Sequence, residues 1–507
     1  KGVDVEYPCP AANGTETALC IASREGHTDI VDALLREGAA VTIALHIAAG
    51  YGQTEVAELL LGAGGNPWQG DVAGYTPLDN AARWGHQKIV KVFLDQAKVD
   101  VKSHDAKGAP IYWAAQYGRV EVIKLLLERG ADPNLGPPAG SHPLYVAVEF
   151  NHSNVVRVLL EVVDPRRATW KGFSPLHVAA DMGSIASLEV LLEDGRLSVN
   201  GQSANGATPL YYAARHGRLG SLETLLSYGA DPSLARDDEF TPLYVAAERN
   251  HGDIVRLLLD VVDPYQSIRP NGWSPLHIAA TNDAKEALET LLVDGRLPID
   301  YLTDKGETPL YRAARNGSHR VVEILLARNA DATIANNDGF QPLYAAAEQN
   351  QSDSLRLLLN VVDPRNAIKN PGGFSPLYKA AHEGHNVTLG ILLEDGRLPL
   401  DDRAYDGTTA LFIAAAEGRF ACVAALLRSG ADASIANKYG ETAAQAAARN
   451  GHHELAASLE KHQSASEAKA RSRRRRDRQA TIRSALEKIC SFALFLALLL
   501  LGPLIVY

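Results

Sequence analysis

At 507 residues, 46 % of them apolar and 22 % charged, the chain has the composition of an ordinary soluble helical protein. Its net charge of −10 is uneven: residues 464–490 hold nine Lys or Arg against three acids, a net of +6, so the remainder sits near −16. That acidic remainder argues against nucleic acid as a partner, because phosphate binding needs a basic stripe. Four isolated cysteines, Cys9, Cys20, Cys422 and Cys490, have no disulfide or C-x-x-C metal spacing and suit a reducing compartment.

Fourteen times between Thr17 and Thr442 the chain carries T-P-L-H/Y or a near variant, then A-A, then a leucine-rich run, most steps being 32 to 34 residues. The step from Thr17 to Ile43 is only 26 residues, so a connecting loop is missing there. Each motif predicts a helix start. In Ser174-Pro175-Leu176-His177 the serine caps the helix by accepting a backbone N–H, and Pro175 fits the first turn, where its missing N–H costs nothing. Phe173, just before the cap, is expected to pack as a staple on Val178. Alanine pairs such as Ala179-Ala180 let neighbouring helices approach to roughly 8–10 Å. A second helix follows, as at Ile254 to Asp260, and only stacking against further units buries all its aliphatic side chains.

A longer period overlays the short one: SPLH at Ser174 and Ser274 and SPLY at Ser375 mark cassettes of 100 and then 101 residues. Each cassette holds three unit types. The first ends in D-G-R-L, as at Asp194 to Leu197; the second ends in a glycine cap, as at Gly229-Ala230-Asp231; the third ends in Val-Val-Asp-Pro, as at Val261 to Pro264. Thr442 opens a last unit whose polar second helix reads as a terminal cap.

Wording and period together resemble the ankyrin repeat family over about residues 1–462. The resemblance implies an all-α solenoid in which each unit is a helix-turn-helix with an extended finger loop. Gly2-Val3-Asp4-Val5-Glu6 is similar to the G-A-D-V-N that closes such a repeat, so residues 1–16 are expected to be the remnant of an upstream repeat and 17–462 the array. In the family His46, His177 and His277 would make structural hydrogen bonds between repeats, and the residues after A-A would lie on a concave face that binds partner proteins. On that face Trp84, Tyr117 and Phe150 form a cluster of aromatic anchors. Arg215 with Glu248, and Arg315 with Glu348, are expected to pair from one repeat to the next. Tyrosines from Tyr112 to Tyr378 replace the motif histidine and are expected to pack between repeats.

Chemistry-bearing motifs are missing from the sequence: there is no phosphate loop, no G-x-S-x-G and no H-E-x-x-H. His382 and His385, three apart, lack a third metal ligand in view. The expectation is therefore no enzyme, no cofactor, no metal and no small-molecule substrate.

Residues 463–488 read as a basic juxtamembrane linker carrying Arg473, Arg474, Arg475 and Arg476, and residues 489–507 as a transmembrane helix of 19 uncharged residues. The arginines favour a cytosolic N-terminal side and contact with anionic headgroups. The function that follows is a membrane-tethered scaffold for protein partners, single-pass with a cytosolic array. Two alternatives stand beside it: the ankyrin part of a longer multi-span channel or palmitoyltransferase, and a soluble ankyrin adaptor.

Overall fold

The computed structural model describes residues 8–11, 14–72, 74–96, 109–136, 142–168, 172–367 and 372–501. Among them are twenty-eight α-helices, which pair as fourteen helix hairpins, and one short β-hairpin in which Pro8–Ala11 runs antiparallel to Gly14–Thr17. The chain divides into two compact units, residues 1–279 with 286–297, and residues 280–285 with 298–507. Within each unit the first helices of successive hairpins pack on one another, and the second helices do likewise.

The helix starts follow the motifs. Thr208 accepts from the Tyr211 N–H at 3.2 Å and Thr308 from the Tyr311 N–H at 3.0 Å, each followed by proline in the first turn. Ser375 caps in the same way, accepting from the Tyr378 N–H at 3.1 Å, and serine followed by histidine adds a further contact. The Ser174 hydroxyl donates to His177 Nδ1 at 2.7 Å, and His177 Nε2–H donates to the Ala207 carbonyl of the following repeat at 3.0 Å. Ser274 and His277 repeat the first contact at 2.8 Å. The Ser174 capping box is thus extended by an imidazole relay that ties one repeat to the next. The rings before the caps also meet the third helical residue: Phe173 meets His177, Phe240 meets Tyr244 at 5.0 Å, and Phe340 stacks on Tyr344 at 4.4 Å. A ring at the third helical position offers a larger face than the aliphatic residue at the fourth.

Leu176, Leu210, Leu276 and Leu310 and the alanine pairs beside them are fully buried. Alanine there removes the side-chain thickness that would hold consecutive first helices apart. Ile254, Val255 and Leu258 bury the inner face of the helix Gly252–Leu259. Finger loops bond to one another through backbone, as in Asp237 N–H to the Asn205 carbonyl at 3.1 Å and Asn337 N–H to the Lys305 carbonyl at 2.9 Å.

The 100-residue cassette has a physical cause. Third-type units lack the terminal glycine cap, so the carbonyls ending their second helices need another donor. The arginine of D-G-R-L in the next repeat supplies it: Arg196 Nη2 and Nη1 donate to the Leu160 and Val163 carbonyls at 2.7 and 3.0 Å. Arg296 does the same to Leu259 and Val262 at 2.6 and 3.1 Å, and Arg397 to Leu359 and Val362 at 2.6 and 3.2 Å. Asp194, Asp294 and Asp395 hold each guanidinium in place at 2.7 Å. The same third-type units turn between their helices on Asn151, Asn250 and Asn350, all at positive φ. Their side chains are used again: Asn151 Oδ1 accepts from the Ser187 N–H at 3.0 Å and Asn250 Oδ1 from the Ala287 N–H at 3.1 Å.

After the last first helix, Ala443–Arg449, the second helix runs unbroken from His453 to Leu501, through the basic segment expected as a linker. Arg473 to Arg476 are exposed on it. No helix among the described residues is long and apolar enough to cross a membrane. Of the span expected at 489–507, residues 502–507 lie outside the described residues, as do the side chains from 494 onward.

A bidentate fork is what the D-G-R-L arginine contributes, so Arg296→Lys is expected to lose nearly as much stability as Arg296→Ala, about 1–2 kcal/mol, because an ammonium cannot serve both carbonyls. Urea unfolding of both variants checks the size, and hydrogen exchange at residues 259–262 the location. Burial pushes the His177 imidazole below its ordinary value. A base whose folded pKa is lowered contributes stability above its unfolded pKa, and that stability is lost as pH falls from about 6.5 toward the folded value. His177→Tyr, the residue other repeats carry there, is expected to flatten part of that acid-side loss in unfolding curves taken between pH 7 and pH 5.

Candidate functional site

The residues expected on the partner-binding face sit where each first helix ends. Trp84 is the last residue of Pro77–Trp84, while Tyr117 and Phe150 cap Pro110–Gln116 and Pro143–Glu149. Their placement is set by a contact the sequence patterns did not suggest. A first helix of only two turns leaves its terminal carbonyls without partners. At one step after another, a side chain from the following repeat reaches back to the residue just after the alanine pair or its equivalent. His86, His152, His251 and His385 donate through Nε2 to the carbonyls of Gly50, Gln116, Arg215 and Glu348 at 3.0, 2.9, 3.1 and 2.9 Å. Arg119, Arg218 and Arg419 donate through Nε to Arg83, Asp181 and His382 at 3.0, 2.9 and 3.1 Å. Gln53 reaches the Arg24 carbonyl at 2.8 Å, and the Ser184 hydroxyl the Glu149 carbonyl at 3.3 Å. The latch needs room. Gly217, at φ 70°, would carry a Cβ only 2.8 Å from the His251 ring.

Two of the three aromatic anchors form one cluster. The Trp84 and Tyr117 rings lie 6.1 Å apart, and the Arg83 guanidinium sits over both, 5.4 and 4.8 Å from their centroids. Arg83 also donates to the Tyr117 hydroxyl at 2.5 Å. Phe150 is half exposed one repeat on. An equivalent ring went unnoticed in the sequence: Tyr51, under the Arg24 guanidinium at 5.5 Å, occupies the same position two residues after its alanine pair, in a repeat whose motif is degenerate.

The expected charge ladder is not made among the described contacts. Arg315 turns back within its own repeat to Glu307 at 3.7 Å, and Arg312 joins at 3.4 Å. Glu307 is only 4 % exposed, so it competes for the two nearby guanidinium groups more strongly than the less buried Glu348 across the face. Arg449 and Glu441 repeat this eight-residue pairing at 2.9 Å. Glu348 pairs instead with Lys379 at 3.2 Å, and Glu248 lies 3.6 Å from its neighbour Arg249. Arg215 lies one repeat before Glu248, its carbonyl held by His251.

Beneath the face Tyr145, Tyr211, Tyr244, Tyr311 and Tyr344 of the tyrosine row are buried, Tyr112 and Tyr378 at its ends partly so, and burial pushes Tyr145 and Tyr311 up to about 12. His385 is occupied as a latch and His382 lies 3.0 Å from Glu383. No group of three or more His, Cys, Asp or Glu among the described residues is placed to hold a metal. A recess of about 740 Å³ lies on the second-helix side, bordered by His251, Leu259, Glu286 and Val293, and none of the expected site residues lines it.

A family profile described as "Ankyrin repeats (3 copies)" matches the chain eight times in overlapping segments, from 19–105 at one end to 377–471 at the other. Among solved structures, the crystal structure of the human ASB11 ankyrin repeat domain is 27 % identical, covering 43 % of this chain and 100 % of that chain with a TM-score of 0.38.

Because histidine, arginine, glutamine and serine all serve as the latch, the site needs a donor and not a particular side chain. His251→Arg is expected to hold stability, while His251→Ala loses about 1 kcal/mol and raises amide exchange around Arg215. Equal losses in both variants, measured by chemical denaturation, would show the imidazole ring itself to be required.

Proposed function

The chain belongs to the ankyrin-repeat family, and on that premise we propose that it is a non-enzymatic scaffold binding partner proteins along the ends of its first helices. We place it at a membrane, held by its C-terminal helix. One observation carries the scaffold reading. At most steps the repeat presents a side chain at a fixed height, its backbone held by a donor from the next repeat, and the chemistry of that side chain changes along the row while the packing beneath it does not. A fixed frame with a variable outer row recognises a surface; it brings no nucleophile, acid or base together. In this reading Trp84, Tyr117 and Phe150 anchor a partner in one unit and Arg215 and Glu248 add charge there, while Arg315 and Glu348 contribute in the other unit.

The membrane part rests on the sequence. Residues 489–507 carry no charge, and the exposed arginines Arg473 to Arg476 precede them on a continuous helix, a pattern that favours a cytosolic array and contact with anionic lipid. A soluble adaptor is the competing reading, and it differs only in the fate of this segment.

Both parts meet in one experiment on the whole chain expressed in eukaryotic cells. The array carries glycosylation acceptor patterns, among them Asn386-Val387-Thr388, whose asparagine is exposed at the start of the helix Asn386–Asp395. Carbonate-resistant membrane association without a glycosidase-sensitive shift is the expected result. Release by carbonate would leave the soluble adaptor, and a shift would place the array in a lumen. Proximity labelling in the same cells is expected to lose partners in a Trp84→Ala, Glu348→Gln variant whose unfolding midpoint is unchanged. An unaltered partner set would remove this face from the function.

A further inference from the structure

The position two residues after the alanine pair changes character along the chain. In five consecutive repeats it is apolar: Tyr51, Trp84, Tyr117, Phe150 and Met182. Tyr51 is 58 % exposed, Trp84 49 %, Phe150 50 % and Met182 43 %, and all five belong to one compact unit. From His216 onward the same position is polar. The cassettes provide an internal control. One and two cassettes on, Tyr117 is matched by His216 and Asn316, Phe150 by Arg249 and Gln349, and Met182 by Asn282 and Glu383. Those repeats bury the same aliphatic position and the same small-residue pair, so folding accepts a polar residue at this site. Packing therefore does not explain the five apolar side chains. A run of half-exposed apolar groups is costly in water unless something covers it.

The row beside it says what kind of cover fits. Immediately after the alanine pairs, or Ala147-Val148 in the fifth repeat, stand Arg24, Gly50, Arg83, Gln116, Glu149 and Asp181: basic at one end, neutral between, acidic at the other. Arg24 and Arg83 lie over the Tyr51, Trp84 and Tyr117 rings, which holds those rings in place and lowers the entropy lost when they are covered. At the other end burial holds the Glu149 carboxyl above its ordinary value, and Asp181 has His216 beside it at 3.1 Å. Gly50 leaves the face open next to Trp84, whose Cδ1 lies 3.9 Å from where a Cβ would be.

We infer that Tyr51, Trp84, Tyr117, Phe150 and Met182 seat an apolar peptide segment of a partner protein, with a carboxylate at the end that meets Arg24 and Arg83 and a basic side chain at the end that meets Glu149 and Asp181. This rests on the scaffold reading and narrows it to one stretch and one partner chemistry. Aromatic rings and arginine give the segment its anchors, and the opposed charges fix its direction.

The probe is a library of random displayed peptides selected on the full chain. The first variant combines Trp84→Asn, Tyr117→His and Phe150→Gln, each a residue that a later cassette carries at the same position, so the fold is retained. Met182→Asn alone is a milder second variant. Selected peptides are expected to share an apolar run bounded by an acid on one side and a base on the other. Their affinity is expected to fall at least about tenfold in the triple variant, several-fold in Met182→Asn, and not at all in Arg315→Gln. Peptides that bind the triple variant equally, or that lack the charged flanks, overturn the inference. Self-association of the chain that the triple variant abolishes also overturns it, since a second copy would then be the cover. Binding that depends on Arg315 or Glu348 instead leaves the scaffold reading standing and removes this location. Recovery of no peptide on any face removes both.

Discussion

A helix of two turns has more unpaired carbonyls at its end than its own residues can serve, and in this chain the next repeat serves them. That one constraint orders much of the rest. A side chain reaching back to the preceding first helix makes each repeat incomplete without its successor, which is why nearest-neighbour contacts carry the stability. It also goes with a residue at positive φ just before each latch, at most steps a glycine whose missing Cβ leaves room for the group arriving from the following repeat. Where asparagine takes that turn, its amide is recruited to hold the next second helix. The residues fixed most firmly by this arrangement are those proposed to face a partner, so a rigid frame and a variable surface arise from the same bonds.

The long period has an equally local origin. A unit that ends in Val-Val-Asp-Pro has given up its glycine cap, and the arginine that replaces the cap belongs to the following unit, held by an aspartate two residues earlier. Neither half is useful alone. A unit with the arginine but no uncapped neighbour would bury part of a guanidinium for no bond, and the uncapped unit without it would leave carbonyls unserved. Linked in this way, the three units are expected to move through duplication together, which fits the recurrence of the pattern at Arg196, Arg296 and Arg397.

Helix starts, buried leucines and the repeat count were legible in the sequence because each depends on a residue type at a fixed spacing. Proline after threonine or serine can mean little else, and the first helices begin where those pairs stand. The latch was not legible, since its chemistry changes from Gln53 to His86 to Arg119 to Ser184. The signal was positional: a donor directly after the glycine or asparagine of the turn, or after the small residue that replaces it. The same blindness made His385 look like half a metal site. The charge ladder failed for a different reason. Spacing places Arg315 one repeat from Glu348, but burial decides between acceptors, and the nearly inaccessible Glu307 eight residues earlier gains more from a guanidinium than the less buried Glu348, which has Lys379. Tyr51 was missed because its repeat has lost the T-P-L wording, although its alanine pair survived.

The last second helix continues for 49 residues without a break, past the point where the array stops needing it. From Leu459, its last fully buried residue among those described, to Ile489 is a step of thirty residues. As helix they span about 45 Å, whereas the same length of flexible chain would have an end-to-end distance of only about 30 Å. A flexible strap lets a domain sweep a volume and touch the surface it is tied to. A rod does the reverse: it sets a minimum stand-off and passes any rotation at its far end directly to the last repeat. Were that far end lodged in a bilayer, the array would be displayed at a set height above it, oriented and not merely kept nearby.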